Sequence, residues 1–221
     1  MGSTLLDLGL LPASDYNSIK CFEEQQTISQ DHLRAIAEIY VRTRMHHSYG
    51  AGILHRHVAL SKGYVMVHAR CDNDIDVCKA ENVRDLDCHS IIPHSFFLNS
   101  KGQFQAYEYD TGVRPLPDTA FLYQLRSFLV ENQLTSLVAI LAEDTRQDSV
   151  EFLLPDEQGM VCVPRKEVYD GIDGIRPSVI TGWKFCEESD GRIECRERRS
   201  CDPQGDGQHK VNDATTPTAG T

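Results

Sequence analysis

The sequence predicts an α+β fold: a curved antiparallel sheet, curling towards a partial barrel, packed with two principal helices. Three observations lead there. Two segments carry apolar residues at helical spacing. About eight or nine short runs rich in Val, Ile, Leu, Phe and Tyr occupy most of the remainder. The polar turns between the later runs are too short to hold crossover helices, which favours antiparallel pairing. With 221 residues, of which 40% are hydrophobic, the chain is long enough for one well-buried core. Residues 1–28 read as an irregular leader, 29–200 as a single domain and 201–221 as a disordered tail.

In the leader, Pro12, Asp15, Asn17 and Ser18 mark turns. Ser29 can cap a helix from about Gln30 to Met45, with Leu33, Ile36, Ala37 and Tyr40 on its apolar face and Glu38 four residues before Arg42. Gly52 to Leu60 and Gly63 to Cys71 then read as a β-hairpin turning at Ser61-Lys62, a register that sets His55 opposite His68 and His57 opposite Met66. Residues 71–90 are acidic and poor in large apolar side chains, and are expected to be a long excursion. Asp72, Asp74 and Asp76 imitate the start of a calcium loop, but Val77 and Val83 stand where its glycine and glutamate belong.

A second hairpin joins Ser90–Leu98 to Gln103–Asp110 through Asn99–Gly102, pairing Leu98 with Gln103 and setting His94 opposite Tyr107. Asp118 or Thr119 begins the second helix, which runs to about Asn132 with a wide stripe of Phe121, Leu122, Leu125, Phe128 and Leu129. Strands are expected over 137–142, 150–154, 160–163 and 179–185, and Trp183–Cys186 forms a hairpin with Arg192–Cys195.

The charge balance is 22 Lys and Arg against 33 Asp and Glu, a net of −11. Such a surface repels phosphate backbones and anionic bilayers, so neither nucleic acid nor membrane is expected as a partner. No apolar run approaches bilayer-spanning length, and MGSTLLDLGLLP lacks the basic start of a secretory signal; Leu6 also breaks the myristoylation pattern after Gly2. A cytoplasmic protein is the expectation. Its eight cysteines include no C-x-x-C and are then expected to be reduced. Nothing in the sequence specifies an oligomeric state.

The sharpest chemical signal is the trio His55, His57 and His68 on one hairpin face, three nitrogen donors suited to a divalent transition metal: zinc, iron or copper. His46, His47, His94 and Glu108 are candidates to complete the set, and the sequence selects none of them. His-x-His on a strand resembles the metal-binding device of cupins. That pattern also needs a glutamate shortly after the pair, and Val58 to Lys62 contains no acid, so the family is not assigned.

A metal-free alternative gives His55, His94 and Glu108 catalytic acid–base roles in an isomerase, dehydratase or cyclase. Either enzyme would enclose a small apolar organic substrate in the curved sheet. The rival from another class is a non-catalytic ligand-carrying or protein-interaction domain. Cys71, Cys78, Cys88 and His89 form a weaker cluster whose spacing fits no zinc knuckle. No G-x-S-x-G, P-loop, Rossmann or H-E-x-x-H motif occurs.

Overall fold

The computed structural model describes residues 5–21, 24–71, 75–87, 90–143, 148–154, 158–165 and 179–201. Its helices begin where the sequence supplies caps. The Ser29 side chain accepts a hydrogen bond from the His32 N–H at 3.2 Å and opens helix α2, Gln30–Arg42, which follows a short α1, Ala13–Asn17. Asp118 accepts from the Phe121 N–H at 2.7 Å and opens α3, Thr119–Glu131. Each such cap is worth about 1 kcal/mol. Helix α2 stops short of Met45 because Arg44 takes a left-handed backbone, φ 61°, and Met45–His47 form a 3-10 turn instead. Across the helix pair, Tyr40 meets Phe121 edge-on at 4.7 Å and Phe185 of the sheet at 4.9 Å.

Among the described residues the strands are β1 Leu6–Asp7, β2 Tyr49–Ile53, β3 Tyr64–Arg70, β4 Asp76–Asn82, β5 Ile91–Leu98, β6 Phe104–Thr111, β7 Val138–Ala142, β8 Ser149–Leu153, β9 Gly159–Pro164, β10 Val179–Glu187 and β11 Ile193–Cys201. Ten of them close in the order β6-β3-β4-β9-β8-β11-β10-β2-β7-β5 and back to β6, with β1 added alongside β6. The sheet is therefore a closed barrel where a partial one was expected, and closure leaves the ring without open edges. It is also mixed: β1 and β3 each run parallel to β6, and β8 runs parallel to β11. Those partners are distant in sequence, so the short turns that suggested antiparallel pairing say nothing about them.

One face of the sheet carries Ala51, Phe96, Ala106, Ile140 and Phe185 into a core with the stripes of α2 and α3. The inward face forms a second core, and here the sequence reading needs correction. Strands β2 and β3 do not form a hairpin: β2 lies between β7 and β10, and β3 between β4 and β6. The link 54–63 alternates like a strand, but its backbone is tied elsewhere. Leu54 donates to the Leu137 carbonyl at 2.8 Å, Arg56 donates to the Lys20 carbonyl at 3.0 Å, and Asn17 grips Leu60 through both backbone groups.

The leader is likewise structured. Leu11, Tyr16 and Ile19 are buried against Leu54, Val58 and Leu60, so leader and link together fill the barrel. Residues expected as an acidic excursion include strand β4, which buries Cys78 while exposing Lys79 and Glu81. The β5–β6 hairpin and the β10–β11 hairpin form as expected, the first with Leu98 opposite Phe104, one place from the anticipated register. Of the expected tail, 201–221, Cys201 is described and corrects that reading, since it is buried as the last residue of β11; residues 202–221 lie outside the described residues. No helix among those described is long and apolar enough to cross a membrane.

If the leader is part of the core, Tyr16→Ala should cost about 3–5 kcal/mol in denaturant-induced unfolding, the range for deleting a buried aromatic ring. A cost below about 1 kcal/mol would return residues 11–19 to the status of a loose leader.

Candidate metal centre

The first wall of the site comes from β3, β5 and β6. Ordinary pairing places Met66 beside Glu108, Glu108 beside Ser95, and Ser95 beside Leu141, a cross-strand row facing inward. Two register shifts then interrupt β5–β6: His94 is an extra residue between Pro93 and Ser95, and Tyr107 is extra between Ala106 and Glu108. A bulge breaks simple alternation and re-aims side chains. Consecutive residues His94 and Ser95, and Tyr107 and Glu108, are thus all buried.

His68 follows Met66 on the same face of β3, and its Nε2 lies 3.4 Å from Glu108 Oε2. The His68 and His94 rings stack with centroids 3.9 Å apart. Ligand atoms of His68, His94 and Glu108 all fall within 4.8 Å of one another. Ser95 Oγ donates to Glu108 Oε2 at 2.8 Å and sits 2.8 Å from His94 Nδ1. Since the hydroxyl proton is committed to a carboxylate, His94 Nδ1 is the donor to Ser95 and Nε2 keeps the lone pair.

Five places around the ring from β6 stands β11, with β8 beside it. Cys201 of β11 pairs in register with Glu151 of β8, and its thiol donates to Glu151 Oε2 at 2.8 Å. The link brings His55 and His57 to this wall. His55 Nδ1 lies 2.8 Å from the Ile53 carbonyl, which can only accept, so Nε2 carries the lone pair and lies 3.4 Å from Cys201 Sγ. Glu151 Oε2 stands 4.0 Å from His55 Nε2 and 3.9 Å from His57 Nε2, while Arg199 Nη1 holds Glu151 Oε1 at 3.7 Å. Ligand atoms of His55, His57 and Cys201 also lie within 4.8 Å of one another.

Between the walls is a cavity of about 10 Å³ lined by His55, His57, Tyr107, Glu108, Glu151 and Arg199, among others. That is room for about one water or one ion. The apolar ligand pocket expected from the curved sheet does not have this form; larger clefts, of about 740 and 310 Å³, open elsewhere.

Burial dominates the electrostatics. It pushes the Cys201 thiol well up, with Glu151 adding to the effect, and pushes His94 well down, helped by His68 and Arg199. Burial also acts to raise Glu108, but the hydrogen bond and charge of His68, then Arg199 and Ser95, outweigh it and leave the carboxyl below its usual range.

The three histidines of the sequence trio are thus divided: His55 and His57 stand with Cys201, and His68 stands with His94 and Glu108. The partner of His68 across the ladder is Cys78, not His55. His46 lies in the 3-10 turn with Nδ1 3.4 Å from the Tyr40 carbonyl, and neither it nor His47 belongs to these groups. Cys71 is exposed and Cys78 is buried in β4, while Cys88 and His89 lie outside the described residues. Sequence reasoning missed Cys201, Glu151, Arg199 and Ser95. Glu151 did carry a signal, a lone carboxylate inside the β-prone run Val150–Leu153, the same signal that marked Glu108.

Because folding lowers the proton affinity of His94, the unfolded chain binds the extra proton below about pH 6.5. Stability should therefore be fully present above that value and fall with pH by up to about 1.4 kcal/mol per unit, with Glu108 adding its loss at lower pH. Urea unfolding between pH 5 and 7.5 should show a shallower slope in His94→Gln than in the wild type; equal slopes would contradict the assignment.

No family model matches this chain, and neither a curated protein nor a solved structure gives a match.

Proposed function

We propose that this chain is a metal-dependent enzyme holding a divalent transition metal, zinc by preference, at His55, His57 and Cys201. The observation that carries this reading is the convergence of two imidazoles and a thiol, all buried, within 4.8 Å. Three protein donors drawn from histidine and cysteine, with one position left to water, are what a catalytic zinc site requires. The 3.4 Å between His55 Nε2 and Cys201 Sγ supports it. Donors bound to one ion at about 2.0–2.3 Å, at tetrahedral angles, stand roughly 3.3–3.8 Å apart. The carbonyl contact at His55 Nδ1 matches the outer-shell bond that orients a ligating imidazole.

An ion held by these residues would supply Lewis acidity, polarising an oxygen and easing loss of a water proton. Glu151 would accept that proton once ligation has released the Cys201 thiol proton that its Oε2 now accepts: Arg199 holds Oε1, and Oε2 faces the histidines. Hydration, dehydration or isomerisation of a small organic molecule needs no more than these parts.

A second reading, a barrel that holds metal without catalysis, is favoured by the cavity, whose volume of about 10 Å³ matches a single ion or water. Azide added to the cobalt-substituted protein separates the two. A shifted visible spectrum shows the open position that catalysis needs, and an unchanged spectrum favours the holding role.

For the site itself, apo-protein prepared with a chelator should regain zinc. His55→Ala and Cys201→Ser should each weaken that binding at least about tenfold while leaving the circular dichroism of the fold in place. Zinc affinity equal to wild type in both folded variants would remove the reading.

A further inference from the structure

We propose that His68, His94 and Glu108 form a second cation site, suited to a nitrogen- and oxygen-preferring first-row ion such as Fe(II) or Mn(II). This site stands on its own donors and does not require the first. Two imidazoles and one carboxylate make a harder set than the histidine–cysteine trio, and such a set with open positions suits ferrous iron.

Several observations converge on it. The three residues are nearly inaccessible, at 5%, 1% and 3% exposure, so their arrangement is not an incidental surface cluster. Glu108 faces inward by ordinary pairing with Ser95, and the bulge at His94 is what brings that imidazole to the same interior point; bulges recur where a strand must re-aim a functional side chain.

The His68–Glu108 contact is also too long for a closed ion pair. Charge-assisted N–H···O bonds run about 2.7–2.9 Å, whereas these atoms stand 3.4 Å apart. Two donors sharing an ion at about 2.1 Å, at angles between octahedral and tetrahedral, are separated by roughly 3.0–3.4 Å. The Ser95 hydroxyl, bonded to both Glu108 and His94, is the outer-shell group that fixes donors of this kind.

Charge points the same way. Among the described residues lining the cavity are two carboxylates, Glu108 and Glu151, and one guanidinium, Arg199, so that with His68 neutral one negative charge is left over. A surplus of negative charge removed from water calls for a cation. Of the second trio, Glu108 lines the cavity that His55 and His57 also line.

Cobalt(II) tests this, because thiolate-to-cobalt charge transfer reports the Cys201 site alone. Full-length apo-protein is titrated anaerobically with cobalt(II), and bound metal is counted after gel filtration. The expected result is two ions per chain in the wild type. Glu108→Gln, which is isosteric, and His68→Ala should each bind one ion with the charge-transfer band retained. Cys201→Ser should bind one ion without the band.

A wild type that binds one ion and keeps both ion and band in Glu108→Gln overturns the second site, as does a Glu108→Gln protein that still binds two. If the single wild-type ion shows no thiolate band and is lost in Glu108→Gln, the second site stands and the first falls. Circular dichroism confirms that each variant is folded, and Glu108→Gln decides if His68→Ala is not.

Discussion

A barrel that closes on itself cannot leave its inward side chains to water, so every polar group placed there must be answered by another. The inner face of this chain carries at least two carboxylates, four imidazoles and a thiol, all buried, with the half-buried guanidinium of Arg199 beside them. An unpaired buried charge costs several kcal/mol, and that cost governs how the interior is arranged. Arg199 answers Glu151, Ser95 and His68 answer Glu108, and Cys201 bonds to Glu151. With the imidazoles neutral, one negative charge is left after these contacts, and a bound cation would satisfy it.

The shape of the site follows from how the chain fills its own barrel. Leu11, Tyr16 and Ile19 of the leader pack on Leu54, Val58 and Leu60 of the link against the inner face of the barrel, and that same link delivers His55 and His57. Apolar residues flank the histidine pair, with Arg56 between His55 and His57: Leu54, Val58 and Leu60 meet the leader, and the two imidazoles meet Glu151 of β8 and Cys201 of β11. Packing and donor placement are therefore one constraint, since displacing the link to admit a larger ligand would also move two ligands. A cavity of about 10 Å³ is the result.

Local features were legible in the sequence and long-range ones were not. The caps at Ser29 and Asp118 depend on residues three apart, and both helices begin where those residues predict. The hairpins through Asn99–Gly102 and through Ser189–Gly191 were readable from turn chemistry. The link 54–63 misled because its alternation is genuine, while its hydrogen-bond partners lie in the leader and near Leu137. Of the site, His55 with His57 and the buried Glu108 were visible as residue types in strand-like runs. Cys201 was not, because its place beside His55, 146 positions away, is set by the parallel pairing of β11 with β8. The bulges at His94 and Tyr107 have no turn residue to announce them, and without them His94 cannot be assigned to the inner face.

The central claim is that the interior of the barrel is a metal centre with Cys201 among its ligands. X-ray absorption at the zinc edge of the loaded full-length protein tests it most directly. The account requires a shell with one sulfur at about 2.3 Å and nitrogen or oxygen at about 2.0–2.1 Å, the sulfur vanishing in Cys201→Ser. A shell of oxygen and nitrogen alone, identical in wild type and Cys201→Ser, would contradict it.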